Sequence, residues 1–466
     1  MGWTRRAANG TRTVSAAEAA GVVQSGDHVV IAMASPLMTP FGFLGAVAAR
    51  ADQLRGVTVD TSWSVAAAVL LQPGTEASWS TASMFAYTDA EFSALNARSQ
   101  QVNYAPMNPS FMGWMADQPH REDLTRRYTG GDVFAVAVTP PNAAGYVTFG
   151  TNVWNARVQI RNARIVIGEV RDDLPVIPGG DNWMPVSAFD YLISDANKVE
   201  FPAIFAPTPE DEVDASQVCC AYVAELINNG DTVMFGGGAI PIRLAPFLES
   251  KEDLGCHSEV IFPVDLVQKG VITNRKRNLV PGKTSLTGFI PRSDEERTWV
   301  DGNPAIDLRD MDVNNHPRYI AQNDNLVAVN APLEVTLWGE LGCERVGPRY
   351  FRGVGGQVEF VVGALLSKGG RSIHGVLSRK RTAAGDYIST IVPEFTPPGA
   401  ASISRQFADI VVTEYGVARL MGKTERERAQ ELIAIAHPDF RPELREAARR
   451  AVGLGTRTFL PGNGGR

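Results

Sequence analysis

The chain has 466 residues, enough for roughly two to four domains, and its 44% hydrophobic and 20% charged residues are typical of a globular protein. A formal net charge of −7 argues against nucleic acid as a partner, since a protein that binds it would usually be basic. The longest apolar stretches, such as residues 360–366, fall far short of the about 20 residues that a membrane span requires, and no apolar segment follows Arg5 and Arg6 as in a signal peptide.

Helices and strands alternate from the first elements onward. Ser15, with Glu18 three residues later, forms a capping box that predicts a helix over residues 16–24. Gly26 and Asp27 then turn the chain into a strand. Buried strands are predicted at residues 28–33, 133–138 and 164–170. The alternation favours an α/β fold with mainly parallel sheets.

Residues 201–216 are typical of a linker, because they combine three prolines with a run of acidic side chains. Few contacts need to cross such a stretch. We therefore predict an N-terminal α/β domain over residues 1–214 and a C-terminal α/β domain over residues 215–466.

A faint internal repeat supports this division. Residues 25–36 read SGDHVVIAMASP and residues 229–241 read NGDTVMFGGGAIP, and each segment follows a helical stretch. Turns of this kind are common in α/β proteins, so chance is an alternative explanation. A true repeat predicts two similar open α/β domains that face each other, with the active site in the cleft between them.

Two glycine clusters in the C-terminal half are candidate ligand-binding loops. The first comprises Gly236, Gly237, Gly238, Ala239 and Ile240, and the second comprises Gly353, Gly355 and Gly356. Glycines let backbone amides approach a ligand closely, and such amides can also stabilise a developing oxyanion. Tight turns without a ligand give the same pattern.

Between the two clusters, residues 255–261 (GCHSEVI) place four possible nucleophiles or bases in a row. Adjacent side chains of an extended segment point to opposite faces, so Cys256 and His257 cannot easily form a thiol–imidazole pair. Composition alone does not single out Glu259, since a lone carboxylate is usually solvated surface.

The remaining C-terminal segments supply cations and helices. Cationic groups at residues 367–371 and 378–381 fit either a nucleotide phosphate or a solvated basic loop. Thr424 and Glu427 form a second capping box, which starts a helix that Pro438 ends.

The four cysteines indicate a reducing compartment. They are Cys219, Cys220, Cys256 and Cys343. No pair has the spacing of a zinc site, and a disulfide scaffold would need far more cysteines. We therefore expect reduced thiols in a cytoplasmic protein without a metal site.

Eight motifs in a fixed order give the candidate residues a context. They are GGGAIP at 236–241, LGCHSE at 254–259, KGVITN at 269–274, IAQNDN at 320–325, GVGGQVEF at 353–360, SKGG at 367–370, VTEYG at 412–416 and IAHPDF at 435–440. In these motifs the chain resembles the acetyl-CoA hydrolase/transferase family, and most of all its 4-hydroxybutyrate or butyrate:acetate CoA-transferase branch. The N-terminal half is similar more loosely, through Gly26–Asp27, Gly145–Tyr146 and Glu169.

The resemblance implies specific roles. Glu259, in the His-Ser-Glu segment, would be the nucleophile, with the backbone amide of Gly356 as an oxyanion donor. CoA contacts would come from Gly236, Gly237, Gly238, Ala239, Ile240, Gly353, Gly355 and Gly356 and, on a weaker resemblance, from Lys368. The substrates would be an acyl-CoA and a free carboxylic acid, no metal would be needed, and the protein would be a homo-oligomer.

Some positions depart from the family's pattern. Residues 343–345 read Cys-Glu-Arg where Ser-Glu-Ser is common, and Arg171 stands where Asn is common. The N-terminal half also carries unusual large side chains at Trp63, Trp79, Tyr104, Phe111, Met112, Trp114 and Met115. Such residues either line the acyl pocket or pack the core, so the sequence does not identify the acyl group of the substrate.

Three other functions fit parts of the sequence. An acyl-CoA hydrolase would use the same Glu259 and admit water. A thiol-dependent acyltransferase would use Cys256. A binding protein or a sugar-phosphate isomerase on a related α/β fold would not depend on Glu259.

Overall fold

The computed structural model describes residues 7–32, 36–61, 68–83, 102–106, 108–111, 113, 115, 131–195, 210–382 and 384–451. Trp63, Met112, Trp114 and residues 201–209 of the predicted linker lie outside these described residues. None of the described helices is long and apolar enough to span a membrane.

An eight-stranded sheet forms the N-terminal half. The elements of this half are β1 (Arg12–Val14), α1 (Ala16–Ala20), β2 (His28–Ile31), α2 (Phe41–Ala48), β3 (Val57–Asp60), β4 (Trp79–Ser83), β5 (Val102–Tyr104), β6 (Val133–Val138), β7 (Tyr146–Thr148), α3 (Ala156–Asn162), β8 (Ile165–Val170), β9 (Trp183–Pro185) and β10 (Tyr191–Ile193). The strand order is β1-β10-β8-β6-β2-β3-β4-β5, and all neighbours run parallel. Every residue of the central strand β6 (VFAVAV) is buried, as expected for a parallel strand covered on both faces.

A six-stranded sheet forms the core of the C-terminal half. The elements of this half are α4 (Glu210–Glu225), β11 (Thr232–Phe235), α5 (Ala239–Arg243), β12 (Gly255–Cys256), α6 (Val264–Gln268), β13 (Thr284–Leu286), α7 (Asp294–Val300), β14 (Ile306–Leu308), α8 (Met311–Asn314), α9 (Pro317–Ile320), β15 (Leu326–Asn330), β16 (Glu334–Thr336), β17 (Leu341–Gly342), β18 (Arg345–Val346), β19 (Arg349–Tyr350), α10 (Gln357–Leu366), β20 (Arg371–Gly375), β21 (Arg379–Arg381), β22 (Tyr387–Ser389), β23 (Ile391–Val392), β24 (Ile410–Thr413), β25 (Gly416–Arg419), α11 (Glu425–Ile435) and α12 (Arg441–Ala451). The strand order is β12-β11-β15-β20-β24-β25, parallel except for the last pair. The predicted α/β class with mainly parallel sheets is confirmed.

The two halves share one strand order. β3-β2-β6-β8-β10 in the first sheet corresponds to β12-β11-β15-β20-β24 in the second. The repeated Gly-Asp turns lie at the same point of this order, before β2 and before β11, and both glycines adopt positive φ, 82° at Gly26 and 83° at Gly230. Two similar halves are therefore present, as the internal repeat predicted.

The aspartates of the repeat make matching contacts. Asp27 accepts a hydrogen bond from the amide of Gln24 at 2.8 Å, and Asp231 accepts one from the amide of Asn228 at 2.6 Å. Each aspartate also pairs with an arginine at the start of an equivalent strand, in the pairs Asp27–Arg164 and Asp231–Arg371. The repeat thus preserves side-chain interactions as well as backbone path.

One hydrophobic core joins the halves. Val30 and Phe134 of the first sheet belong to the same packed cluster as Val233, Phe235 and Val412 of the second. Packing between the two halves therefore buries apolar surface, which is a strong stabilising effect at about 25 cal/mol per Å².

Local predictions succeed unevenly. Both capping boxes are formed, at Ser15 with Glu18 and at Thr424 with Glu427. α1 ends at Ala20, earlier than predicted, with Gly21 as its C-cap.

The linker prediction is wrong for residues 210–216, where α4 begins, because acidic residues favour a helix N-terminus. The domain boundary after residue 214 thus falls within α4 and stays a prediction.

Candidate active site

The backbone of Glu259 is fixed by the C-terminal half. Glu259 follows β12, and its carbonyl oxygen accepts hydrogen bonds from the amides of Thr287 at 3.0 Å and Gly288 at 3.2 Å. A β-bridge between Phe235 and Ile261 holds the same segment beside the end of β11. The carboxyl ends of parallel strands are the usual place for a site in such a sheet.

The N-terminal half supports this backbone from the other side. The carbonyl of Thr151 accepts from the amide of Phe289 at 2.7 Å. The amides of Val153 and Trp154 donate to the carbonyl of Thr287 at 2.9 and 3.1 Å. Since Thr287 in turn binds the backbone of Glu259, both halves position this residue.

The side chain of Glu259 contacts the second glycine cluster. The amide of Gly356 donates to Oε1 of Glu259 at 3.0 Å, and Gly356 is the N-cap of α10. A Cβ at position 356 would clash with Nδ2 of Asn315 and come within 3.2 Å of the Glu259 oxygen. Gly355 has a φ of 57°, which also favours glycine. The structure therefore brings Glu259, Gly355 and Gly356 together, with Gly353 at the start of the same loop.

Burial strongly perturbs the carboxyl group. It raises the pKa of Glu259 to about 8, and the nearby Glu359 carboxylate raises it further, whereas the Gly356 amide and the Asn315 side chain oppose the shift. Burial also raises the pKa of Glu359 to about 7, opposed by its hydrogen bonds to Ser110. A poorly solvated carboxylate beside backbone donors can act as a nucleophile.

Asn315 completes the immediate surroundings of Glu259. Its Oδ1 accepts a hydrogen bond from Nδ2 of Asn314 at 2.9 Å, which leaves its own Nδ2 on the side of Gly356. Asn315 is fully buried, and its side chain interacts with the Glu259 carboxyl group, whose pKa it lowers. A buried amide donor at this place is suited to a developing negative charge.

Glu359 receives its partner from the N-terminal half. The hydroxyl of Ser110 donates to Oε1 of Glu359 at 2.5 Å, and both side chains are buried. Glu359 lies in the first turn of α10, three residues after Gly356. This contact links the N-terminal half to the helix that presents the Gly356 amide.

The neighbours of Glu259 in sequence have structural roles. His257 is buried, with Nε2 2.7 Å from the backbone carbonyl of Asn314 and Nδ1 2.9 Å from the side-chain Nδ2 of Asn323, and burial lowers its pKa to about 3. His257 is therefore neutral. Burial raises the pKa of Cys256 to about 12, so its thiol is a poor nucleophile.

The first glycine cluster leads from β11 into α5. A Cβ at Gly236 would lie 2.7 Å from Oδ1 of Asn330, so the backbone passes close to β15, whereas Gly237 faces open space. Ala239 and Ile240 begin α5, and the Ile240 side chain is buried. This cluster thus offers its backbone, rather than the Ile240 side chain, to a ligand.

Lys368 lies apart from the other predicted site residues. It is exposed, and its carbonyl accepts from the amide of Asn325 at 2.8 Å, just before β15 begins. That is the amino edge of the parallel sheet, whereas Glu259 lies at the carboxyl edge. Arg371 is also engaged elsewhere, with Asp231. The cationic residues that follow the carboxyl end of β20 are those of β21.

The unusual large side chains divide between core and interface. Trp79 is buried in the core of the N-terminal half. Tyr104 reaches across to the C-terminal half, where its ring lies 4.9 Å from that of Tyr350 and its hydroxyl donates to Glu344 of the Cys-Glu-Arg departure. Phe111 packs edge-on against His316 at 5.7 Å.

Arg171 also has a structural explanation. Its guanidinium pairs with Asp173 at 2.6 Å and donates to the carbonyl of Leu37 at 3.2 Å. Glu169, two residues earlier, accepts hydrogen bonds from the amides of Gly42 and Phe43 at the start of α2. These residues therefore hold the N-terminal half in shape.

Sequence patterns did not single out Asn315, Glu359 or Ser110. The Asn314–Asn315 doublet and the position of Glu359 one turn after a glycine cluster were the available signals. Neither signal identifies its partner, because the contacts join residues far apart in the chain.

Comparison with known proteins supplies the family. The profile of the acetyl-CoA hydrolase/transferase N-terminal domain matches residues 4–203, and that of the C-terminal domain matches residues 294–448. The chain belongs to the acetyl-CoA hydrolase/transferase family. This confirms the resemblance seen in the eight motifs and makes the protein an enzyme of that family.

Relatives within the acetyl-CoA hydrolase/transferase family carry several activities. The chain is 38% identical over 315 residues to the 4-hydroxybutyrate coenzyme A transferase of Clostridium kluyveri, covering 67% of this chain and 71% of that protein. It is 32% identical over 444 residues to the succinyl-CoA:cyclohexane-1-carboxylate CoA transferase of Geobacter metallireducens, covering 94% and 95%. An acetyl-CoA hydrolase of Kluyveromyces lactis is 33% identical over 155 residues, which is 33% of this chain and 28% of that protein.

Two solved structures that are similar to this chain have the same fold. RipA from Yersinia pestis superposes with a TM-score of 0.82 at 30% identity, covering 95% of this chain and 98% of RipA. A 4-hydroxybutyrate CoA-transferase from Porphyromonas gingivalis gives a TM-score of 0.71 at 31% identity, covering 94% and 97%.

Proposed function

We propose that this protein is a CoA-transferase that moves CoA from an acyl-CoA to a free carboxylic acid through a glutamyl-CoA thioester on Glu259. The observation that carries the proposal is the 3.0 Å hydrogen bond from the Gly356 amide to the half-buried Glu259 carboxyl group. The names of the relatives place CoA transfer within the family, and the geometry supports the residues assigned to it.

The carboxylate gains reactivity from its surroundings. Water normally stabilises the charge of a carboxylate and makes it a weak nucleophile. In the cleft that solvation is reduced, and the group is held where a thioester carbonyl would meet the Gly356 amide.

The reaction proceeds by paired exchanges of bonds. A Glu259 oxygen attacks the thioester carbon and the C–S bond breaks. CoA departs as the thiolate, and the acyl group is now joined to Glu259 in a mixed anhydride. The thiolate attacks the Glu259 carbonyl, a C–O bond breaks, and the donor acid departs from a glutamyl-CoA thioester. An acceptor carboxylate then reverses both steps and leaves as a new acyl-CoA, so the thioester energy is retained.

Each exchange passes through a tetrahedral oxyanion. The Gly356 amide at the start of α10 and Nδ2 of Asn315 are the donors for it. One such donor is worth roughly 3 kcal/mol of transition-state stabilisation.

A second candidate is an acyl-CoA hydrolase with the same nucleophile, which the acetyl-CoA hydrolases among the relatives favour. It differs only in admitting water to the anhydride or thioester. Adding acetate separates the two functions, because a transferase then forms acetyl-CoA whereas a hydrolase only releases CoA.

Borohydride trapping tests the covalent intermediate. Borohydride reduces a glutamyl-CoA thioester to an alcohol, so intact-mass analysis after incubation with acyl-CoAs should show a loss of mass that maps to Glu259. The panel should include the acyl groups named for the relatives, such as 4-hydroxybutyryl, butyryl and succinyl. The proposal would be refuted if borohydride modified neither the wild type nor E259Q after incubation with any of the acyl-CoAs.

We further propose that the protein is a homo-oligomer, as the family resemblance implies, and that it is cytoplasmic, as its four free cysteines indicate. Light scattering on the eluted protein measures the oligomeric state, and a monomer at micromolar concentration would contradict it.

A further inference from the structure

Arg352 bridges the two glycine clusters. It directly precedes Gly353, and its Nη1 donates to the carbonyl of Gly237 in the first cluster at 2.6 Å. Its Nε donates to the carbonyl of Cys343 at 3.1 Å, and its Nη2 donates to the carbonyl of Ala331. One guanidinium therefore ties together the end of β15, the first cluster and the segment that enters the second.

The charge of Arg352 has no anionic partner among the described residues. All three acceptors are neutral backbone carbonyls, and no described carboxylate forms an ion pair with it. Burial lowers its pKa, yet a guanidinium stays protonated in proteins. A half-buried cation without a counter-charge favours the binding of an anion nearby.

The contact with Gly237 also orients the next amide. In a trans peptide the C=O and the following N–H point in opposite directions. With the Gly237 carbonyl directed at Arg352, the Gly238 N–H points away from it, and no described residue accepts a hydrogen bond from that N–H. A Cβ on Gly238 would lie 2.6 Å from Cβ of Ala331, so the loop is pressed against the end of β15.

We propose that Arg352 is a positioning residue that holds the two glycine clusters at one separation and keeps the Gly238 amide turned toward bound CoA. This rests on the proposed function, in which the first cluster contacts CoA. A lysine could not replace it fully, because a single ammonium group lacks the planar fork that reaches three carbonyls.

The test compares R352M and R352K with R349M. Arg349 lies nearby on β19 and is exposed, and its guanidinium packs over the Phe351 ring at 4.8 Å, which makes R349M a matched control. Initial rates with acyl-CoA and acceptor acid varied in turn give the KM of each substrate, calorimetry gives the Kd of free CoA, and thermal unfolding reports on folding.

We expect R352M to raise the KM for acyl-CoA and the Kd for CoA by about tenfold or more, with the KM for the acceptor acid changed less than about twofold. R352K should fall in between and R349M should match the wild type. Unchanged CoA affinity in a folded R352M, or equal rises in both KM values, would overturn the inference.

The two proposals fail in different ways. A wild type that binds CoA but transfers it to no acid refutes the transferase, while calorimetry still decides the role of Arg352. A wild type that does not bind CoA overturns both.

Discussion

Glu259 has a pKa of about 8 in the unliganded protein, so at pH 7 most molecules carry it protonated. Only the carboxylate can attack a thioester. The same burial that makes the anion reactive therefore limits how much of it is present, and Glu359 sets part of that balance through its own negative charge.

A pH–rate profile measures this balance. We expect kcat/KM for acyl-CoA to rise with pH and level off above about 8, since that parameter reports the free enzyme. In E359Q the charge repulsion between residues 259 and 359 is removed, so the pKa of Glu259 falls. The rise in kcat/KM should then move to lower pH. E344Q, which alters a carboxyl group that does not perturb Glu259, is the control, and an equal displacement in both variants would contradict this account.

Substitution separates the two candidate nucleophiles. We expect C256A to keep most of the wild-type kcat, because the thiol is buried with a raised pKa and Cys256 contributes mainly packing. E259A should lose at least about a thousandfold in kcat, the usual scale for removing a covalent nucleophile. The rates are measured by the appearance of a second acyl-CoA; a C256A variant as inactive as E259A, yet folded, would point back to the thiol.

At this scale the sequence alone was a weak guide. Glu259 could be chosen only through its motif, and the alternation rule correctly separated Cys256 from His257. Asn315 and Glu359 act through contacts with residues 41 to 249 positions away, at Gly356 and Ser110, and no local pattern encodes such a pairing.

The helix α10 carries the donor amide, and its first residue depends on the absence of a side chain. We expect G356A to lower kcat by about a hundredfold, because the methyl group would displace Asn315 and crowd the Glu259 carboxyl group. G45A is the matched control: Gly45 lies in α2 with open space around it, so alanine should be neutral or stabilising there. Equal activity of the two variants in the transfer assay would show that the close contact is unimportant.

Strand direction decides which cations can reach the site. Lys368 lies at the amino edge of the second sheet, so K368A should leave the KM for acyl-CoA within about twofold of the wild type, the range of an ordinary surface substitution. R381A, on the hairpin after the carboxyl end of β20, is the comparison and should raise that KM. A large rise in the KM for acyl-CoA in K368A but not in R381A would instead support the contact between Lys368 and CoA that the family resemblance implies.

Elements were predicted best where the local chemistry is self-contained. The capping boxes at Ser15 and Thr424 involve residues three apart, and both formed as expected. The linker failed at its acidic end because the same residues favour the first turn of α4. Proline and charge content alone does not decide between a helix start and an extended connection.

For the molecule as a whole, the alternation of elements predicted the α/β class, and the repeat predicted two similar sheets. The way in which the two halves pack together could not be predicted from the sequence. Apolar runs such as VFAVAV show that a strand is buried, but they do not show which elements cover it.

The shared core makes the two halves unfold together. We expect one calorimetric transition, with equal calorimetric and van't Hoff enthalpies per cooperative unit, since Val30 and Phe235 lie in one packed cluster. Scanning calorimetry on the whole chain measures this. Two resolved transitions would instead show that the sheets are independent folding units, as the predicted boundary after residue 214 suggests.

The matched pairs Asp27–Arg164 and Asp231–Arg371 have a consequence for the ancestry of the chain. A shared strand order with a shared ion pair is what the copying and end-to-end joining of a gene for one half would leave. Before such a fusion, the half-length product would have met its own twin across a twofold axis, with every feature present in duplicate. The two halves now contribute differently to the site: the C-terminal half carries Glu259 and the glycine clusters, and the N-terminal half supplies Ser110.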